Sequence, residues 1–177
     1  TTNTRRNPRN PQGREGVEVS DQLPIIRTIG RSTYLTKLWG MSKDGSPYKY
    51  TPDNAPLLCK HPARFTVEML KVAGLEEIKA QLEIGDHRAA VLRDEPSSLD
   101  GHIRRNKEHW TPKDRHWFML DVDGLKYDAL SSPESAVFGV LSKIEDIWPE
   151  TKDADVLWQF SASHGFKEGL SVHLWFW

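Results

Sequence analysis

The chain has a single cysteine, Cys59, which excludes an internal disulfide framework and fits a reducing compartment, so a cytoplasmic setting is expected. Cys59 and His61 are too few for a structural zinc, which takes four ligands. No apolar run reaches the roughly 18 residues of a membrane span, and no membrane association is expected. The opening TTNTRRNPRNPQGREG has no apolar stretch and therefore no signal-peptide pattern. Excess charge is lacking too. The formal net charge is −1, whereas a strongly basic chain would point to nucleic acid from composition alone. What is present is 177 residues, 37% hydrophobic and 28% charged, enough for one domain with a packed core.

Positive charge is local instead. Arg5, Arg6, Arg9 and Arg14 fall in the first 14 residues without an acid. The stretch HIRRNKEHWTPKDRH, residues 102–116, holds five Lys or Arg against two acids, plus three His. The chain begins on Thr and ends on LWFW, whose pattern is that of a strand in progress. An exposed strand end bearing Trp175, Phe176 and Trp177 would invite aggregation, so an excerpt of a longer protein, truncated at its C-terminus, is expected.

Residues 1–20 read as a disordered segment or an arm, and residues 21–177 as one domain. Scattered turn formers make residues 21–62 mostly irregular. TVEMLKVAGLEEIKAQLEI, residues 66–84, reads as two short helices capped by Thr66 and parted by Gly74. RAAVLR reads as a short strand. SSPESAVFGVLSKIEDIWP has Ser132 as N-cap, Pro133 at the first helical position and an apolar stripe of Val137, Val140, Leu141, Ile144 and Trp148, all marks of a helix. DVLWQFSA and LSVHLWFW read as strands joined by SHGFKEG, a connection whose glycines suit a hairpin. Together these predict an α+β (mixed α/β) layer arrangement, with an antiparallel-containing sheet flanked by helices.

Two sites draw attention. In HWFMLDVDGLKY, a strand over 116–122 puts Asp121 and Asp123 on one face and Phe118, Leu120 and Val122 on the other, toward a core. Paired carboxylates repel unless a cation lies between them, and oxygen ligands suit magnesium or manganese. Gly124 allows the backbone to turn and a ligand to approach. Asp-x-Asp-Gly is equally an ordinary strand-to-turn ending. It also matches the first motif of a phosphatase superfamily, but that motif opens its domain, and here 120 residues precede it without the required partner motifs following.

In FSASHGFKEGLSVHLWFW, Ser171 and His173 also alternate, about 7 Å apart along one strand face. A hydroxyl and an imidazole so placed suit two oxygens of a polyphosphate. Gly165 and Gly169 permit backbone approach to phosphate, and Lys167 adds charge. An isolated strand histidine is more often simply half-buried, and a loop lysine is more often solvated. No Gly-x-Ser-x-Gly elbow supports a serine hydrolase.

An apolar strand ending LDVDG, a helix, a strand, and then SVH in an apolar strand resembles the archaeo-eukaryotic primase (primase-polymerase) superfamily. The phrases RNKEHWTPKDRHWFMLDVDG and SASHGFKEGLSVHLWFW resemble its domains in phages and mobile elements, often fused to a helicase. The resemblance covers residues 104–177. It implies an RRM-like catalytic core that joins nucleotides on a single-stranded DNA template, using NTP or dNTP and Mg2+ or Mn2+. Asp121 and Asp123 would hold the metals in a two-metal site. Ser171, His173 and Lys167 would bind the triphosphate, His173 counting among the catalytic residues. Arg104, Arg105 and Lys107 would contact template phosphates, with Trp110 free to stack a base. A helicase domain or partner is implied as well. The family's third acid, a metal ligand in a later strand, has no counterpart before residue 177, so the third ligand is expected outside this chain. A non-catalytic nucleotide- or nucleic-acid-binding module of the same fold is the other reading.

Overall fold

The structure, a computed structural model, describes residues 2–5, 19–29, 35, 39–51, 53–55, 65–85, 88–99, 108–127 and 132–177. In chain order the elements are β1 (Thr2–Arg5), β2 (Asp21–Thr28), β3 (Trp39–Met41), β4 (Pro47–Lys49), β5 (Phe65–Val72), α1 (Leu75–Glu83), β6 (Ala89–Val91), β7 (Glu95–Pro96), β8 (Trp110–Thr111), β9 (Phe118–Leu125), α2 (Pro133–Ile147), β10 (Val156–Phe160) and β11 (Leu170–Phe176). This is a mixed α+β protein whose described strands pair antiparallel throughout its sheets. It divides into two compact units, Thr1–Val19 with Trp117–Trp177, and Ser20–His116, where the sequence led us to expect one domain after an arm.

The first unit carries the candidate site. Its sheet runs β1-β10-β11-β9. Period-two alternation sends Val156, Trp158, Leu170, Val172, Leu174 and Phe176 to one face, where they pack with Ala136, Val137, Val140 and Leu141 of α2. Phe118, Leu120 and Val122 join this core, as the alternation in β9 predicts. Phe118 and Phe176 are register partners and stack at 4.5 Å, and Trp148 covers Phe118 from the helix end at 5.0 Å. Such ring pairs contribute about 0.5–1.5 kcal/mol beyond the area they bury. α2 begins where the sequence places it, with the Ser132 hydroxyl accepting from Ser135 N–H at 3.1 Å and Pro133 in the first turn.

Two expectations for this unit are corrected. Residues 2–5 are no arm: they add an edge strand to β10, and Arg5 pairs with Glu145 of α2 at 2.7 Å. The rest of the Arg-rich stretch lies outside the described residues. Trp175 and Phe176 are not exposed either. β11 is an inner strand, and both rings are buried.

The second unit corrects more. Residues 21–28, expected to be irregular, form the central strand of a β5-β2-β6 sheet, pairing along all eight residues with β5. Pro24 sits in that strand without breaking it. Its carbonyl accepts from Leu92 N–H at 2.9 Å, so its missing N–H falls on the β6 side, where the ladder ends at Val91. The first helix expected within residues 66–84 is instead a strand, β5. The segment fits either period over so short a span, and eight cross-strand partners decide for the strand. Only the second expected helix there forms, as α1. RAAVLR contains β6, as expected.

Candidate functional site

The site is built on β9 and β11. They are antiparallel neighbours, with His173 the register partner of Asp121 and Val172 that of Val122. Side chains on directly opposed residues share a face. Asp121 and Asp123 therefore face the same side as Ser171 and His173, opposite the α2 core. The His173 Nε2 lies 3.6 Å from Asp121 Oδ1, an ion pair when the imidazole is protonated. The Asp121 side chain is 57% exposed and that of His173 32%, so both remain open to a ligand.

One residue farther on the register slips. Leu170 pairs with Leu125, so β9 takes three steps where β11 takes two. The extra residue makes a β-bulge, and Gly124, with φ of +70°, supplies the left-handed conformation it needs. The bulge puts Asp123 and Gly124 together opposite Ser171. The Ser171 hydroxyl donates to Asp123 Oδ1 at 2.8 Å and accepts from Gly124 N–H at 3.3 Å.

The connection between β10 and β11 folds onto the same carboxylate. Ser163 Oγ donates to Asp123 Oδ1 at 3.4 Å, and Lys167 Nζ reaches Oδ2 at 3.0 Å. Backbone N–H groups of Phe166 and Lys167 both donate to Ser163 O, which fixes the turn that carries the lysine. His164 Nδ1 accepts from Ser171 N–H at 3.4 Å, and its ring stacks on Phe160 at 4.3 Å. At Gly169, φ of +87°, the loop approaches β9 so closely that an added Cβ would lie 2.8 Å from Leu125 O. Glycine is required there on two counts.

Four of the expected residues, Asp121, Asp123, Ser171 and His173, thus meet on one face, and Lys167 joins them. Two differ from their expected roles in what they touch. Ser171 is fully buried and gives its one hydroxyl proton to Asp123. Lys167 is paired with Asp123. Ser163 and His164 were not singled out from the sequence. SASH within a glycine-rich connection was their only signal, and it carries no period. Trp110, expected to stack a base, is buried with Ile26 and Phe65 in the second unit's core. Arg104, Arg105 and Lys107 lie outside the described residues, as do Cys59 and His61.

Asp121 and Asp123 offer carboxylate oxygens on one open face, a donor set of the hard type that suits Mg2+ or Mn2+. Asp123 already holds a cation, the Lys167 ammonium, which stands in for a metal's charge. Among the described residues no three His, Cys, Asp or Glu side chains gather to hold a metal ion. Among the same residues no helix is long and apolar enough to cross a membrane. Compared with known proteins, the chain matches no family model, no curated sequence and no solved structure.

Proposed function

We propose that this chain is a metal-dependent nucleotidyltransferase domain of the primase-polymerase kind, with an RRM-like core, acting on single-stranded DNA with NTP or dNTP. The observation that carries the proposal is the register of β9 against β11, which sets Asp121 beside His173 on an exposed sheet face. Acids that would hold a metal and an imidazole that would bond a phosphate oxygen stand side by side, which supports phosphoryl-transfer chemistry.

Asp121 and Asp123 would hold Mg2+ or Mn2+, which when bound neutralises charge on a transferring phosphoryl group. His173 would donate a hydrogen bond to a phosphate oxygen, held in orientation by Asp121. Ser171 acts at one remove: its buried hydroxyl fixes the Asp123 carboxylate and the Gly124 turn, so that the acid is aimed before a ligand arrives. The template contacts of Arg104, Arg105 and Lys107, and a helicase domain or partner, belong to this proposal through the resemblance alone.

The test is primer synthesis and extension on single-stranded template with Mg2+ or Mn2+, offering both nucleotide types. Incorporation that Asp121→Ala abolishes supports the proposal, and undiminished incorporation by that variant ends it.

One observation favours a second reading. The Asp123 carboxylate has two hydroxyls and an ammonium upon it, as an acid that anchors a loop would. A non-catalytic module that binds nucleotide or single-stranded nucleic acid on this face fits that arrangement. It would bind triphosphate or DNA and incorporate nothing.

A further inference from the structure

We propose that Lys167 is a resident counter-cation of Asp123 that a divalent metal displaces, freeing the ammonium to meet an anionic ligand on the same face. This rests on the reading of Asp121 and Asp123 as metal ligands, and adds to it how the site passes from its resting to its loaded form.

The geometry separates what stays from what moves. Oδ1 of Asp123 is held from below by Ser171, which is fully buried, and by Ser163, which is 3% exposed. Oδ2 takes the Lys167 ammonium, and that pair is open to water, with 42% of the lysine side chain and 45% of the aspartate side chain exposed. An ion pair so exposed contributes about 0.2–1 kcal/mol, little enough to exchange. The backbone beneath the lysine is fixed by its N–H bond to Ser163 O and by the tight approach at Gly169. Release of Lys167 is therefore a side-chain rotation with the loop in place. A doubly charged ion on Asp123 repels the neighbouring ammonium, so the two cations do not share the carboxylate. Once displaced, Lys167 is tethered at the rim of the site, where a triphosphate would have use for its charge.

Two measurements on the full chain test this. In the first, Mn2+ binding is followed by electron paramagnetic resonance for the parent, Lys167→Met, Asp123→Asn and Asp121→Asn, with Lys143→Met on α2 as a variant of equal charge change. Loss of the competing ammonium should tighten Mn2+ binding about 1.4- to fivefold in Lys167→Met, the equivalent of an exposed ion pair, and leave Lys143→Met unchanged. In the second, lysines are acetylated with and without Mg2+ and read by mass spectrometry. Mg2+ should raise labelling at Lys167 and not at Lys143, and Asp123→Asn should raise it without Mg2+. The exchange is overturned if Lys167→Met binds Mn2+ no tighter than the parent, if Lys143→Met gains as much, or if Lys167 labelling ignores Mg2+. Those results leave the metal reading standing provided that Asp123→Asn or Asp121→Asn weakens Mn2+ binding. If both aspartate variants bind Mn2+ as the parent does, the metal reading itself fails, and the exchange with it.

Discussion

His173 lies directly across from Asp121 on the neighbouring antiparallel strand, with its Nε2 3.6 Å from the carboxylate oxygen. Two residues along, the bulge sets Asp123 against Ser171 instead. The two acids thus share a face and differ in their surroundings. Asp121 is the more exposed, while Asp123 is wired into the loop that joins β10 to β11.

That difference separates the two acids by experiment. Asp121→Asn should cut nucleotide incorporation by about a hundredfold or more, the scale of losing a pre-aimed electrostatic group, and leave the denaturation midpoint unmoved. Asp123→Asn should cut incorporation as deeply and also destabilise the first unit by about 1–3 kcal/mol, since buried Ser171 loses its charged acceptor. Primer extension beside urea denaturation reads both quantities. Equal stabilities for the two variants would show that the Ser171 bond adds nothing to the fold.

His173→Ala should act on the substrate rather than on the template. If His173 bonds a phosphate oxygen, its removal raises the triphosphate concentration for half-maximal rate by about tenfold or more, as for a hydrogen bond to a charged group. Binding of single-stranded DNA, followed by fluorescence anisotropy, should stay within twofold of the parent. Since β11 is buried on its other face by Leu174 and Val172, the substitution should leave the sheet intact.

The legible elements of the first unit carry a local pattern that admits a single answer. α2 shows fifteen residues with a cap, a proline and an apolar stripe. In β9 as far as its bulge, and in β11, apolar residues alternate with Asp121, Asp123, Ser171 and His173, and that alternation assigns the four to one face. β5 is ambiguous in the sequence because its residues fit a two-turn helix and a strand about equally, and its partner β2 carries Pro24, a residue that usually argues against an inner strand. Trp110 was misassigned because its basic surroundings in sequence say nothing of burial. The roles of Ser163, His164 and Lys167 depend on a loop closing over a bulge, which no local pattern encodes.

In the second unit, Asp21 and Arg115 form an ion pair with 10% and 3% of their side chains exposed and Oδ1 3.1 Å from Nη1. Burial pushes the Asp21 carboxyl up. Bonds from Gln22 N–H and His116 N–H, and the Arg115 guanidinium, outweigh burial and hold its pKa below the ordinary 3.8. A depressed pKa means that the stabilisation is present above the ordinary carboxylate range and is lost as pH falls through the folded-state value. Asp21→Ala should cost about 1–3 kcal/mol near neutral pH, because the Arg115 guanidinium loses its carboxylate partner and, among the described residues, keeps only its bond to Arg93 O. The gap between parent and variant in chemical denaturation should narrow as pH drops below about 4, where the unfolded carboxyl also becomes protonated. A gap that stays constant from pH 7 to pH 3 would remove the ion pair as its cause.

Gly124 and Gly169 make a matched test of the site's backbone. Both have positive φ, +70° and +87°, so alanine at either is strained by about 1–2 kcal/mol. They differ in space. The nearest atom to an added Cβ at Gly124 is Glu168 O at 3.9 Å, an ordinary contact. At Gly169 the added Cβ would meet Leu125 O at 2.8 Å and Gly124 C at 2.9 Å, both backbone atoms that cannot rotate away. Gly169→Ala must therefore push the loop off β9, and with it the segment from which Ser163 and Lys167 reach Asp123. It should destabilise the unit clearly more than Gly124→Ala does. Hydrogen exchange at Ser171 N–H and Gly124 N–H, both bonded across this junction, should accelerate in Gly169→Ala and stay near the parent rate in Gly124→Ala. Equal costs for the two substitutions would mean that strain at φ, rather than the close approach of loop to strand, is what glycine relieves at both positions.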